Sequence, residues 1–356
     1  MTIDASTVNE TQTHRVSAIL DAIALALSLA PGLWAIFGTG FRHLPVTWAL
    51  ALALGFALRN LGLAWRVLAG TALRPATVWA MLAVLIALFA VVFVDTTAPG
   101  RPRQGLFAHL AFLAALASLV SVLGARKPGE SAWAILCGLF LAIGLLPMLE
   151  GIGLAKRFDV LDQLRSESPW TYFFVLVIIA GAGNYLPTRF SLPALILGTG
   201  LLHHLRLLWT PEGRAEWRGE YWYILPWALA VSISLGAILA RRPRKFETPA
   251  PFHQFWIPFR DAWGAAWALR VLERVNQSAA RNGWPERLTW FGLVGSADSN
   301  STTGESIESQ DSKSAGELAN SVQANVPVAF PNAIALTATL TVFLRRFGDT
   351  DVIRKF

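Results

Sequence analysis

Long uncharged stretches separated by short charged breaks fill the first two thirds of the chain, and each stretch approaches the ~20 residues a helix needs to pass through hydrocarbon. Few folds are open to such a sequence. In lipid every backbone N–H and C=O must find its partner within its own segment, so the stretches are expected to be helices. About eight spans fit, at 16–37, 45–63, 77–94, 106–123, 131–152, 170–185, 190–208 and 221–239. The break NYLPTR, 184–189, is read as a hairpin, because Pro187 removes a backbone donor and Arg189 resists burial. An even number of spans puts both ends of the chain on one side.

The opening MTIDASTVNETQTHRV lacks the basic start of a cleaved signal, so the first apolar run is expected to stay in place. Lys and Arg are nearly balanced between the two sides. The compact RRPRK at 241–245 tips both termini to the cytoplasm and the whole chain to a cell inner (plasma) membrane. The formal net charge of +7 follows from arginines that anchor helix ends against anionic lipid. No module for nucleic acid accompanies it, so the bilayer is the expected partner and nucleic acid is not. The single cysteine, Cys137, sits in an apolar run and excludes an intrachain disulfide or a zinc ribbon.

Past 240 the character changes. The expected organisation is an N-terminal tail, 1–15; a transmembrane helical domain, 16–240; a basic, proline-rich linker, 241–258; and a C-terminal tail domain, 259–356. From Ala268 the pattern is amphipathic. Ala268, Val271, Leu272, Val275 and Ala279 share one face, and Arg270, Glu273, Arg274, Gln277 and Arg281 the other. Continuing the same wheel backwards puts Trp263 and Trp267 on the outer stripe beside Arg270 and Arg274, an indole and guanidinium mixture suited to lipid headgroups. Asn282-Gly283 offers a helix stop, Leu288 and Trp290 give a weak strand signal, and 296–325 is expected to be disordered for want of apolar residues. Residues 332–347 are read as a docking helix in preference to a ninth span. The fold class expected is thus an α-helical integral membrane protein of about eight spans with a small α+β cytoplasmic tail.

FRDAWGAAWALRVLERVNQSAARNGWPERLTWFGL and the closing LRRFGDTDVIRKF resemble the C-terminal region of a group of uncharacterised bacterial multi-pass membrane proteins. There a Trp- or Phe-bearing helix, an Asn, a WP step and an arginine-rich final helix recur. The resemblance spans about the last third of the chain and implies shared architecture without a known activity. WGAAWALR also shares its first half with the tryptophan-rich signature of haem-handling cytochrome c assembly proteins, but Leu269 and Arg270 stand where that signature has Trp and Asp.

Ionisable groups at membrane depth mark candidate sites by default. Asp95, His109, Glu150, His203 and His204 fall towards the non-cytoplasmic ends of their runs, with Arg42, His43 and Arg206 level with them. Such groups can ligate a divalent metal or a haem, or relay protons. His109, His203, Asp95 and Glu150 are the metal candidates. Against this, consecutive histidines point about 100° apart and cannot share a ligand, and no HExxH, paired ExxH or CxxCH supports them. Asp21 reads as a helix cap, and Arg59 with Asn60 as an interhelical hydrogen-bonding pair. No Walker loop, Rossmann fingerprint or nucleophile elbow occurs.

No reaction is legible in these residues, and no cofactor is expected. The leading expectation is a membrane-anchored scaffold or assembly component. Its tail would dock a protein partner or the inner leaflet through Trp263, Trp267, Arg270, Arg274 and Arg281. The alternatives are a haem- or metal-binding redox protein and a small-solute transporter.

Overall fold

The computed structural model describes residues 44–94, 102–125, 137–146, 168–209, 223–242, 252–295 and 332–349, with a few isolated positions elsewhere. Most of the first span, both ends of the fifth, the break after Arg242 and the region 296–325 lie outside them. So do Asp21, Arg42, His43, Asp95 and Glu150.

Among the described residues helices lie along the second to eighth expected runs: α1 (Leu44–Val67), α2 (Arg74–Phe89), α3 (Pro102–Leu123), α4 (Cys137–Leu146), α5 (Ser168–Gly183), α6 (Ser191–Trp209) and α7 (Ile224–Arg241). Among the described residues four are long and apolar enough to cross a membrane: Thr47–Val67, Arg74–Phe93, Ser191–Leu208 and Ile224–Arg241. The apolar parts of α3, α4 and α5 are shorter, Phe107–Leu123, Cys137–Leu146 and Pro169–Gly183. α2 carries Pro75 in its first turn, where the missing N–H costs nothing, and passes at its far end into a π-helical turn, Ala90–Val94.

Small residues let these helices approach. Ala83 and Ala87 of α2 and Ala108, Ala111, Ala114 and Ala115 of α3 are all buried. α6 meets α7 where Gly200 lies against Ala228 so closely that no side chain fits between them. Outward positions such as Trp48, Leu52, Leu85 and Leu176 remain exposed, as expected of surface that faces lipid.

A second core sits at one end of the bundle. α8 (His253–Arg281), a two-stranded hairpin β1 (Arg287–Leu288) and β2 (Leu293–Val294), and α9 (Ala333–Leu344) build it together with Leu68, Leu73, Ala76, Val122 and Ala125 of the bundle. The strands pair antiparallel with Leu288 opposite Leu293. Among the described residues the C-terminal segment shares its core with the bundle and caps the ends of α1, α2 and α3.

Two expectations are corrected here. The linker does not reach 258: α8 begins at His253, because Phe252, Trp256, Phe259 and Trp263 recur at helical spacing and all are buried. Pro258 within this stretch had disguised the period. Trp263 and Trp267, placed on an outer stripe, are also in the core, at 0% and 6% exposure. The wheel assumed an unbroken helix, and α8 is broken at Gly264, where φ is 77°. Trp267 stands one turn before Val271, so its ring follows the apolar face inward.

Candidate functional site

The most developed polar constellation is the seam between cap and bundle. At Gly264 the two halves of α8, 253–263 and 265–281, meet in a conformation that L side chains avoid, and helical hydrogen bonds lapse there. Asn184, in the short turn between α5 and α6, replaces them. Its backbone carbonyl accepts from Ala265 N at 2.7 Å, its Oδ1 accepts from Ala266 N at 2.8 Å, and its Nδ2 donates to Trp263 O at 3.1 Å. A Cβ at Gly264 would collide with the Asn184 side chain.

The surroundings reinforce this latch. Tyr185 Oη donates to Ala262 O at 3.2 Å, Trp267 Nε1 to Val122 O at 3.1 Å, and Trp290 Nε1 to Pro187 O at 3.2 Å. Asp261, buried in the same seam, accepts from Arg260 at 2.9 Å and lies 3.5 Å from Arg189 Nε. Arg260 in turn donates to Trp290 O at 3.0 Å. Phe347, just past α9, is edge-on to Phe259, Trp263 and Trp267 at centroid distances of 4.9, 5.9 and 5.2 Å. Its carbonyl accepts from Ala72 N at 2.8 Å, which ties the last helix to the turn between α1 and α2.

At the far end of α8, Asn276 brackets Leu288 of β1, donating to its carbonyl at 2.8 Å and accepting from its amide at 2.7 Å. Buried Glu286 receives Asn332 twice, from the backbone N at 3.2 Å and from Nδ2 at 2.9 Å. Burial pushes its carboxyl up, but these bonds to the ionised form outweigh that and hold it below the usual carboxylate range.

On the outside of α8, Arg270, Glu273, Arg274, Gln277 and Arg281 are exposed, as the amphipathic pattern anticipates. The Arg270 guanidinium lies 4.8 Å from the Trp267 ring centroid, covering the edge of the core. Beside this stripe a shallow groove of about 390 Å³ is lined by Leu272, Glu273, Asn276, Gln277, Ala280 and Arg287.

Among the histidines, the structure brings His109 of α3 to His204 of α6. Their ring centroids are 6.1 Å apart, with Phe112 packed against both at 5.8 and 4.8 Å. His204 shares the buried face of α6 with Leu201, Leu205 and Leu208, which turns the adjacent His203 to the flank. His109 Nε2 lies 3.2 Å from Gly144 O; a carbonyl only accepts, so Nε2 carries the proton. Among the described residues no group of three His, Cys, Asp or Glu is placed to hold a metal ion.

Arg59 and Asn60 bond to each other as neighbours on α1, and the contact between helices is made by Asn60 with Arg241. Asn60 Oδ1 accepts from Arg59 Nη1 at 3.3 Å and also from Arg241 Nη2 at 3.1 Å, joining α1 to the end of α7. Of the seam, Asp261, Gly264 and Glu286 went unsingled in the sequence. One signal was available, a glycine inside the helical run AWGAAW. No known protein family, curated protein or solved structure matches the chain.

Proposed function

We propose that the protein is a multi-pass membrane scaffold or assembly component of the inner membrane, with the cap on the cytoplasmic side, and that the outer face of α8 docks a protein with an acidic surface. The observation that carries this reading is an exposed stripe of Arg270, Arg274 and Arg281 on a helix held at its break and beyond its end. A helix held in this way loses little further freedom on binding. Arginines present planar forks matched to carboxylates, and the groove lined by Asn276, Gln277 and Arg287 offers a recess beside them. The arginine-rich segment that follows α7 supports the cytoplasmic orientation.

The test is purification of the full chain and of R270E/R274E from membranes, with equal thermal unfolding as the check on folding. A protein that accompanies the unaltered chain in near-equal amount is expected to be lost from the variant. Identical companions in both preparations end this reading. Loss of anionic-lipid retention in place of a protein would move the target of the stripe to the leaflet.

A haem- or metal-binding redox role has one observation in its favour, the meeting of His109 and His204 in the bundle interior. The absorption spectrum and metal content of the purified chain test it. A Soret band or stoichiometric metal that disappears in His109→Ala supports it; a clean spectrum without metal disposes of it.

A further inference from the structure

α9 is apolar on every side. Leu336, Leu340 and Leu344 fill the cap core, while Ile334, Ala338, Val342 and Arg345 form an exposed stripe at four- and three-residue steps, with Ile334 at 85% and Val342 at 62% exposure. Between the two faces Thr337, Thr339 and Thr341 turn their hydroxyls back onto carbonyls of the same helix. A helix apolar all round belongs in an apolar medium, and hydroxyls satisfied from within suit one that holds no water. An open groove of about 470 Å³ runs along the stripe, from Ile334 past Ala338 and Val342 to Arg345.

Both ends of α9 are tied to the end of the bundle, and this identifies the medium. The Phe347 carbonyl accepts from Ala72 N, in the turn between α1 and α2, whose apolar spans stop at Val67 and start at Arg74. Asn332 donates to Glu286, a short way before Trp290, which donates to Pro187 O in the turn between α5 and α6. At the first of these turns the Arg74 guanidinium lies 4.0 Å from the Trp65 ring centroid, and the neighbouring Arg66 is exposed. Tryptophan and arginine at the ends of spans mark the headgroup level of a bilayer. Arg345 and the exposed Arg346 close the apolar stripe at the same turn, where their charge complements lipid phosphate.

We propose that the outer face of α9 lies in the leaflet at the cap end of the bundle, with lipid acyl chains over Ile334, Ala338 and Val342 and lipid phosphate at Arg345. The cap touches lipid through α9 and leaves the arginine stripe of α8 to a partner. This requires that the bundle cross a membrane, and it holds whichever side the cap is on.

The experiment is fluorescence quenching of the full chain in nanodiscs of phosphatidylglycerol and phosphatidylcholine. An environment-sensitive label is attached at Ile334→Cys, at Val342→Cys or, on the arginine stripe, at Gln277→Cys, each matched to the unaltered chain in thermal unfolding. Cys137 is buried and stays in place, and the unsubstituted chain gives the background. Lipid nitroxide set ~5–10 Å below the phosphates is expected to remove most of the emission at 334 and 342, and aqueous iodide little of it, with the order reversed at 277. Quenching of 334 and 342 by iodide puts the face in water and overturns the proposal. Shielding from both quenchers also overturns it, and assigns the groove to a protein or a second copy of the chain. Equal lipid quenching at all three positions overturns it as partition of the label itself.

Discussion

Asn184 uses both its backbone carbonyl and its side-chain amide to supply what Gly264 takes away from α8. Removing that side chain strands the Ala266 N–H and the Trp263 carbonyl in a buried seam, at about 1–3 kcal/mol for each unsatisfied group. Asn184→Ala is therefore expected to lower stability by roughly 3 kcal/mol in a reversible denaturation measurement. Gly264→Ala should cost at least as much, since a φ of 77° and the Asn184 side chain both oppose a Cβ. Near-neutral results for both would mean that the break is a passive kink and the latch carries little energy. Asp261 belongs to the same seam. Buried beside Arg260 and Arg189, it offsets two cations that would otherwise face each other across the turn between α5 and α6.

α9 is held at its two ends by different chemistry. Phe347 closes one end through the aromatic cluster, and Glu286 closes the other through Asn332. The folded carboxyl of Glu286 titrates below its ordinary value near 4.5. A depressed carboxyl contributes stability that is fully present above the ordinary value and is lost as pH falls through the folded one. Protection of the Ala333–Leu344 amides against hydrogen exchange, taken relative to the unfolded chain at each pH, is thus expected to hold down to about pH 4.5 and to fall below it. Glu286→Gln should remove most of that pH dependence, and an unchanged acid profile in the variant would assign it elsewhere. Within α9 itself, Thr337, Thr339 and Thr341 each donate to the carbonyl four residues earlier, at 2.7, 2.9 and 2.8 Å. These hydroxyls need neither water nor a neighbour, which fits a helix whose Ile334 and Val342 are exposed.

At the scale of the whole molecule, the cap and one end of the bundle share the second core, and this decides how the chain should unfold. Leu68, Leu73, Ala76 and Val122 of the bundle are buried by residues from 252 onwards. A chain ending after Arg242 exposes them to water at that end. Its bundle is expected to unfold at a lower temperature than the full chain in the same detergent, and residues 252–356 alone should not fold cooperatively. Two independent transitions in the full chain would show the cap to be a separate unit.

Apolar run length and charge were enough to locate the described helices of the bundle, because in lipid the backbone has no alternative and a run of ~20 uncharged residues signals its own conformation. The amphipathic face from Ala268 to Ala279 and the docking helix near 332–347 were legible for a similar reason: periodicity is local. What Trp263 and Trp267 face was not local. For Trp263 a single left-handed glycine reset the phase of the helix, and the ends of α1, α2 and α3 supplied a core on a side where the wheel anticipated headgroups; Trp267, after the break, simply keeps the phase of Val271 and Val275. The site contacts were also beyond reach, since Asn184 meets Gly264, Asn60 meets Arg241 and His109 meets His204 across long separations in the chain. Which of two adjacent histidines turns inward, and which arginine shares an asparagine, depends on how helices far apart in sequence are rotated against one another. Local pattern places each helix in the chain; only packing sets that rotation.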